Sequence, residues 1–570
     1  MKFEFIYITI NSLYLIVVVR KQKGEKGMKE EKGFKSRLGF ILASVGSAVG
    51  LGNLWAFPYK AGVNGGAVFV LVYVVMALLI GLVAMISEMY IGKRTGKNIV
   101  DSFRAVNKHM GLMGIMGLVC TVVIASYYIL LGGWVLKYAW SYLVGVDFTG
   151  GMTAASQSVD VYKNYFANFS QGSWEPILFM GLFFTLAMVV LALGVQNGIE
   201  KLSKFLMPVL FTLMLGLMIW SLCLKGTDGR SVLDGLRFYL VPRPESMSSQ
   251  TILAAMGQSF FSLSLGVGIM TVYGSYAKEQ KGLGKSAFIV VCLDTMVALL
   301  AGFIIFPAIF ALGNGVEDVA AGPGLFFVVL PRIFAEMGGA GRFFGFLFFF
   351  LVFVAAITSV ISLVEVPLQT IVAKTKIKRP VAVAILAVVI FGLGILVSLS
   401  QGFVAGLQVD GMDLLSFFDT VISNFMMPIG SMIMCVTVGW FISKKEIDAN
   451  FHDFKSRNVW LVFTKFITPV LIGIVLITSG LLVISADGVQ FNNWRVLVTV
   501  LVALILFVAV NEIMLKVNAK RNPQMAISGS ATRDFITVDL TETNSSVEVE
   551  STESDTAQEE NESISDNDNK

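Results

Sequence analysis

Apolar residues run along most of this chain in blocks of roughly 20, separated by short polar loops, and that block length crosses hydrocarbon as an α-helix. Spans are expected near residues 37–60, 67–92, 112–146, 174–195, 203–224, 250–276, 283–312, 341–373, 380–399, 413–442, 459–485 and 494–517. The short alternation of an outer-membrane barrel strand is missing, so the chain reads as an all-α integral membrane protein with about 12 transmembrane helices. Two of the spans carry a second pattern. Ala48-Val49-Gly50-Leu51-Gly52-Asn53 and Ser262-Leu263-Ser264-Leu265-Gly266-Val267-Gly268 place close glycines near mid-span. Paired glycines at that depth mark where a helix unwinds, and the bare amides and carbonyls must then face a ligand, ions or protein. Gly50 or Gly52 taken alone reads as close helix packing. The two breaks together point to a transporter.

Composition and charge refine this picture. Of the 570 residues, 14% are charged and 55% hydrophobic, against roughly 25% charged in soluble domains. Lys/Arg clusters recur in alternate loops (Lys93, Arg94, Lys97 and Arg104; Lys201 and Lys204; Lys278, Lys281 and Lys285; Lys374, Lys376, Lys378 and Arg379; Lys444, Lys445, Lys455 and Arg457). By the positive-inside rule these loops and both termini are cytoplasmic, which makes the protein a multi-pass component of the inner (plasma) membrane. One loop dissents: 225–249 carries Lys225, Arg230, Arg237 and Arg243 although the span count makes it external. Cys120, Cys223, Cys292 and Cys435 lie in apolar runs without metal or disulfide spacing, and His109 and His452 are loop histidines. Nothing resembles a nucleotide-binding loop or a catalytic triad. An enzyme, an organic cofactor and a nucleic-acid partner are therefore not expected; a small solute and membrane lipid are.

The ends differ from the body. Residues 1–27 are read as an over-extended start, since Gly24-Glu25 can be encoded as a ribosome-binding sequence shortly before Met28; an extra helix or a signal-like segment is the other reading. Residues 28–36 are the cytoplasmic N-terminus. Residues 518–570 are read as a disordered acidic cytoplasmic tail, too poor in hydrophobic residues to offset ordering entropy, and its partner is unknown.

Arg37-Leu-Gly-Phe-Ile-Leu-Ala-Ser-Val-Gly46-Ser-Ala-Val49-Gly-Leu-Gly52-Asn53-Leu-Trp-Ala-Phe-Pro58-Tyr, followed by Asn64-Gly-Gly66, closely resembles the first helix of the neurotransmitter:sodium symporter family. Gly257-Gln258-Ser-Phe-Phe261-Ser-Leu-Ser-Leu-Gly266-Val-Gly268 resembles the sixth, and the likeness runs from about Phe34 to Val517. It implies a five-plus-five inverted repeat (37–224 and 250–442) with the first helix of each repeat broken. It also implies an extracellular loop at 225–249 and two extra helices in 443–517. The implied activity is sodium-coupled import of an amino acid by alternating access. A sensor that has lost transport and a proton-coupled carrier using Asp294 or Glu365 remain as alternatives.

The resemblance also assigns residues. A substrate carboxylate would meet amides of Leu51 and Gly52 and the hydroxyl of Tyr128, while carbonyls around Ala48 and Phe261 to Leu263 would take the ammonium. Ile124, Tyr128, Phe261, Ser264, Val267 and Leu363 would line an apolar side-chain pocket, with Ser262 and Ser359 beside it, and Val267 leaves room for a bulky apolar or aromatic amino acid. One or two sodium ions are implied. The first would bind the Ala48 carbonyl, Asn53, Ser262, Asp294 and the substrate carboxylate; the second, carbonyls of Gly46, Val49 and Ala355 with hydroxyls of Thr358 and Ser359. Alone, Thr358 and Ser359 read as hydroxyls bonding back to their own helix. A fixed carboxylate at Asp294 makes a charge-balancing chloride unnecessary, although Tyr73 and Gln258 resemble chloride-site surroundings. Glu88 resembles a carboxylate that holds amides of the unwound helices.

The family's gates appear altered. Ala56 stands where an outer-gate arginine is common, and Ser416 aligns with its acid, so both members of that pair are expected to be missing. At the inner side Ala373-Lys374 replaces an acid, with Glu31 a conceivable partner for Lys374. Gly198 and Pro208 keep a spacing that permits unwinding of the fifth helix, with a simple kink as the other reading.

Overall fold

The computed structural model describes residues 33–521 apart from 147, 149–158, 227–228, 278–281, 320–323, 376, 410–411, 452–455 and 486–493. The expectations for residues 1–27, for Glu31 and for the tail beyond Arg521 therefore lie outside the described residues. Each expected apolar run folds as helix. The first unit, up to Val508, begins with α1 (Arg37–Ala48), α2 (Gly52–Val63), α3 (Ala67–Thr95), α4 (Lys108–Val144), α5 (Glu175–Ala192) and α6 (Val195–Leu222). It continues with α7 (Ser249–Ser262), α8 (Ile269–Tyr276), α9 (Leu283–Leu312), α10 (Gly339–Thr375), α11 (Arg379–Leu399), α12 (Leu414–Phe441) and α13 (Arg457–Thr478). The second unit, from Ala509, contributes to the described residues only the end of a last helix, α14 (Trp494–Arg521).

The order repeats itself: a broken span, α1 and α2 or α7 and α8, opens each set of five. Long α4 and α10 pack against each other through the middle, and α3 lies along α8. The expected loop 225–249 is itself partly ordered, with a helix at Val232–Leu240 whose start is capped by Ser231. In α6 the expected loosening takes a specific form. Val195–Glu200 is a wide π-type turn, and a side chain at Gly198 would meet the Val190 carbonyl at 2.1 Å.

The first break is short. Helix α1 ends with Val49 extended at ψ 113°, and α2 departs at 51° from α1. The second break runs from Leu263 to Gly268, with left-handed backbone at Ser264 (φ 53°), Gly266 (φ 82°) and Gly268 (φ 81°). Gly266 is obligatory on a second count, because a Cβ there would sit 1.9 Å from the Met427 carbonyl oxygen of α12.

Candidate functional site

The two breaks face each other across a cavity of about 30 Å³, room for roughly two waters. Of the residues expected around a substrate, Ala48, Gly52, Ile124, Tyr128, Phe261, Ser264, Val267, Ser359 and Leu363 line it. Leu51 and Ser262 do not. Leu51 turns its side chain into the core, and its amide donates to the Tyr128 hydroxyl at 3.1 Å. Ser262 instead donates to Asp294. Three lining residues were not anticipated: Gly50, Ile269 and Met427. Met427 and Ile269 share the space beside Val267, so the small residue at 267 does not by itself make a large pocket. Gly50 leaves its room to others, since a Cβ would lie 2.5 Å from Ser359 Oγ and 2.6 Å from Tyr128 Oη.

On one side of the cavity the polar groups form a closed network. Asn53 Nδ2 donates to Asp294 Oδ1 at 2.8 Å, to Ser262 Oγ at 2.8 Å and to the Asp294 carbonyl at 3.1 Å. Ser262 Oγ donates to Asp294 Oδ2 at 2.7 Å, and Tyr73 Oη donates to Ser262 Oγ at 3.2 Å. Asn53 Oδ1 accepts the Gly50 amide at 3.0 Å and keeps a second lone pair. Asp294 is fully buried in α9, and a charged acid at that depth costs roughly 2.5–3.5 kcal/mol on insertion scales, so the Asn53 and Ser262 donors on its carboxylate answer a real need. Gln258 Nε2 donates to the Gly52 carbonyl at 2.7 Å, while its Oε1 has no partner.

On the other side Ser359 Oγ lies 3.0 Å from the Val49 carbonyl, 3.2 Å from that of Ala355 and 3.4 Å from that of Gly46. Thr358 Oγ1 donates back to the Ala355 carbonyl at 3.0 Å, and its Cβ lies 3.3 Å from the position a Gly46 side chain would take. Both readings of this hydroxyl pair thus have a basis: each bonds within α10, and both stand against the carbonyls where α1 ends. Five neutral oxygens drawn from two helices form a donor set suited to a hard monovalent cation.

Glu88 holds the second break together. Its carboxylate accepts the Gly266 amide at 2.6 Å and the Met270 amide at 3.1 Å, and the Gly268 and Thr271 amides also face it. The Phe261 carbonyl already accepts from the Ser264 amide at 3.2 Å, so one of the proposed ammonium acceptors keeps a single free lone pair.

The charged groups near the gates differ from expectation. Ser416 Oγ donates to Asp413, which caps the start of α12. An acid, Asp419, lies three residues on and so close to the same helix face. It accepts from Tyr127 Oη at 3.1 Å and Ser423 Oγ at 2.7 Å. Lys60 of α2 senses the charge of Asp419, and its Nζ stands 5.8 Å from the centre of the Phe261 ring. Positions 56 and 416 themselves carry no charge. Toward the basic end, Lys374 pairs with Asp101 of the helix Ile99–Val106. Glu365, fully buried, accepts a two-pronged contact from Arg379 and the Tyr276 hydroxyl at 2.6 Å. Arg379 was legible only as one more loop cation; its contact with Glu365 depends on the tight turn between α10 and α11.

Comparison with known proteins accords with this geometry. Residues 31–150 and 150–520 match the sodium:neurotransmitter symporter family. An uncharacterized sodium-dependent transporter of Bacillus subtilis, YhdH, is 34% identical over 458 residues, covering 79% of this chain and 98% of that protein. Sodium-dependent nutrient amino acid transporter 1 of Drosophila melanogaster is 28% identical over 400 residues, covering 60% of this chain and 62% of that protein. Among solved structures, that of MhsT in complex with L-phenylalanine superposes with a TM-score of 0.71 at 36% identity, covering 79% of this chain and all of that one.

Proposed function

The chain belongs to the sodium:neurotransmitter symporter family, a group of membrane transporters rather than enzymes, and from that premise we propose that it carries an apolar amino acid into the cell together with sodium, by alternating access and without chloride. The observation that carries the reading is that both helix breaks, Tyr128 and Ser359 line one small cavity, with each of two oxygen-rich clusters built on a residue of the first break. The L-phenylalanine in complex with MhsT supports the substrate class.

In this reading the substrate carboxylate lies against Tyr128 and the start of α2, where helix-end amides favour negative charge. Its ammonium faces the carbonyls of Ala48 and Phe261. One sodium sits among the Ala48 carbonyl, Asn53, Ser262, Asp294 and the substrate carboxylate, so ion and solute share a contact and each raises the affinity of the other. A second sits among Gly46, Val49, Ala355, Thr358 and Ser359, and draws α1 onto α10. The side chain occupies the pocket of Ile124, Val267, Ile269, Leu363 and Met427; a bulky substrate enters as flexible Met427 moves aside. Tyr73 and Ser262 already serve the Asp294 carboxylate, which fills the part that an anion would otherwise play. Both termini and the Lys/Arg loops face the cytoplasm of an inner-membrane protein.

Two rivals are tested together with it. Proteoliposomes containing the full chain are given a sodium gradient, a pH gradient alone, or sodium with gluconate replacing chloride. Accumulation of a labelled apolar amino acid with sodium, unchanged in gluconate, is the expected result. Binding without accumulation would establish a sensor, and uptake on the pH gradient alone a proton-coupled carrier. The bidentate Glu365–Arg379 contact disfavours Glu365 as a proton site, because its charge is already matched.

A further inference from the structure

Away from the cavity, a groove of about 450 Å³ opens on the flank of the bundle between α3, α9 and the start of α13, a volume in the range of ligand sites of roughly 300–1,000 Å³. Its walls grade from polar to apolar along its length. Lys285 and Ser456 stand at one end, Gly284, Phe288 and Ile86 follow, and Leu82 closes the other. Leu82 lies eleven residues before Lys93 on α3, a rise of about 16 Å. The groove thus reaches about halfway through a hydrocarbon layer of roughly 30 Å.

The polar mouth is cationic. Lys285 is exposed and makes no ion pair among the described residues. Arg37 adds a second positive charge at the same helix end, through Ser286 Oγ at 3.2 Å and the Gly282 carbonyl at 3.4 Å. Among the described residues no side chain caps the start of α9, whose first amides lie at the same helix end. Among the described residues, two acids of the adjoining segment are already paired, Asp448 with Arg457 and Glu446 with Arg94.

A half-bilayer apolar slot under an unmatched cationic mouth has the shape and charge of one phospholipid, and we infer that the groove binds an anionic phospholipid, with an acyl chain laid along Phe288, Ile86 and Leu82 and its phosphate on Lys285. The lipid is a wedge between the helix that carries Glu88 and the helix that carries Asp294. A zwitterionic lipid offers Lys285 the same phosphate but brings its own ammonium, so the net positive charge of the mouth goes unbalanced.

Native mass spectrometry of the full chain, purified in detergent and offered equal amounts of phosphatidylglycerol, phosphatidylethanolamine and phosphatidylcholine, tests this. The wild-type chain is expected to retain one phosphatidylglycerol in preference to the others by about fivefold, the worth of one lysine at an anionic surface. Lys285→Gln should abolish the preference at an unchanged unfolding temperature, and Leu82→Trp, which shortens the slot, should reduce retention of all three. Equal retention by the wild-type chain, or a preference that survives Lys285→Gln, would overturn the assignment.

Discussion

In the first break the chain leaves helix for two residues, and Asn53, from the same span, takes the Gly50 amide. In the second it leaves helix for six, three of them left-handed, and a carboxylate from another helix, Glu88, gathers the amides. The difference follows from length. A short gap exposes few backbone groups, and a neutral amide side chain within reach satisfies them. A long gap exposes a row of N–H groups in an apolar surround, where only an anion accepts several at once with charge-assisted strength. The longer break is therefore braced from outside and the shorter from within, which leaves α1 freer to move relative to its neighbours.

That contrast can be pressed experimentally. Glu88→Gln keeps the shape but turns two acceptor positions partly into donors, so it should lower stability by about 1.5–3 kcal/mol, read as a fall in the thermal unfolding midpoint in detergent. Asp294→Asn keeps the side chain's shape, removes the charge and turns one acceptor oxygen into a donor that the Ser262 hydroxyl must rotate to meet; half-maximal sodium for uptake should rise about tenfold, and uptake should become sensitive to replacing chloride with gluconate. Asn53→Ala should cost about 1 kcal/mol of stability, less than Glu88→Gln; the reverse order would refute the idea that the second break leans more on its brace. Tyr128→Phe leaves the buried Leu51 amide without its acceptor, so it should lower the unfolding midpoint by the equivalent of about 1 kcal/mol and weaken amino acid binding about fivefold, measured by titration in saturating sodium.

How much of this was legible beforehand depends on the range of the interaction. Both breaks were, because glycine spacing is local and the bilayer penalises an idle backbone. The oxygens of Gly46, Val49, Ala355, Thr358 and Ser359 were named through resemblance and do converge. Met427 and Ile269 were missed because an apolar residue in an apolar helix carries no sign of which face meets a cavity. Asp419 went unassigned because Ser416, nearly one turn away, lies on almost the same face, and helical periodicity does not tell the two apart. Arg379 looked like any other positive-inside residue; only the close turn between α10 and α11 brings it to Glu365.

The Leu51 amide and the Tyr128 hydroxyl already satisfy each other. An arriving carboxylate would therefore trade partners with them rather than rescue stranded donors, and the gain from that trade is small. For a carrier this is useful. The journey back without cargo starts from a contented backbone, so neither leg of the round trip has to climb out of a deep well.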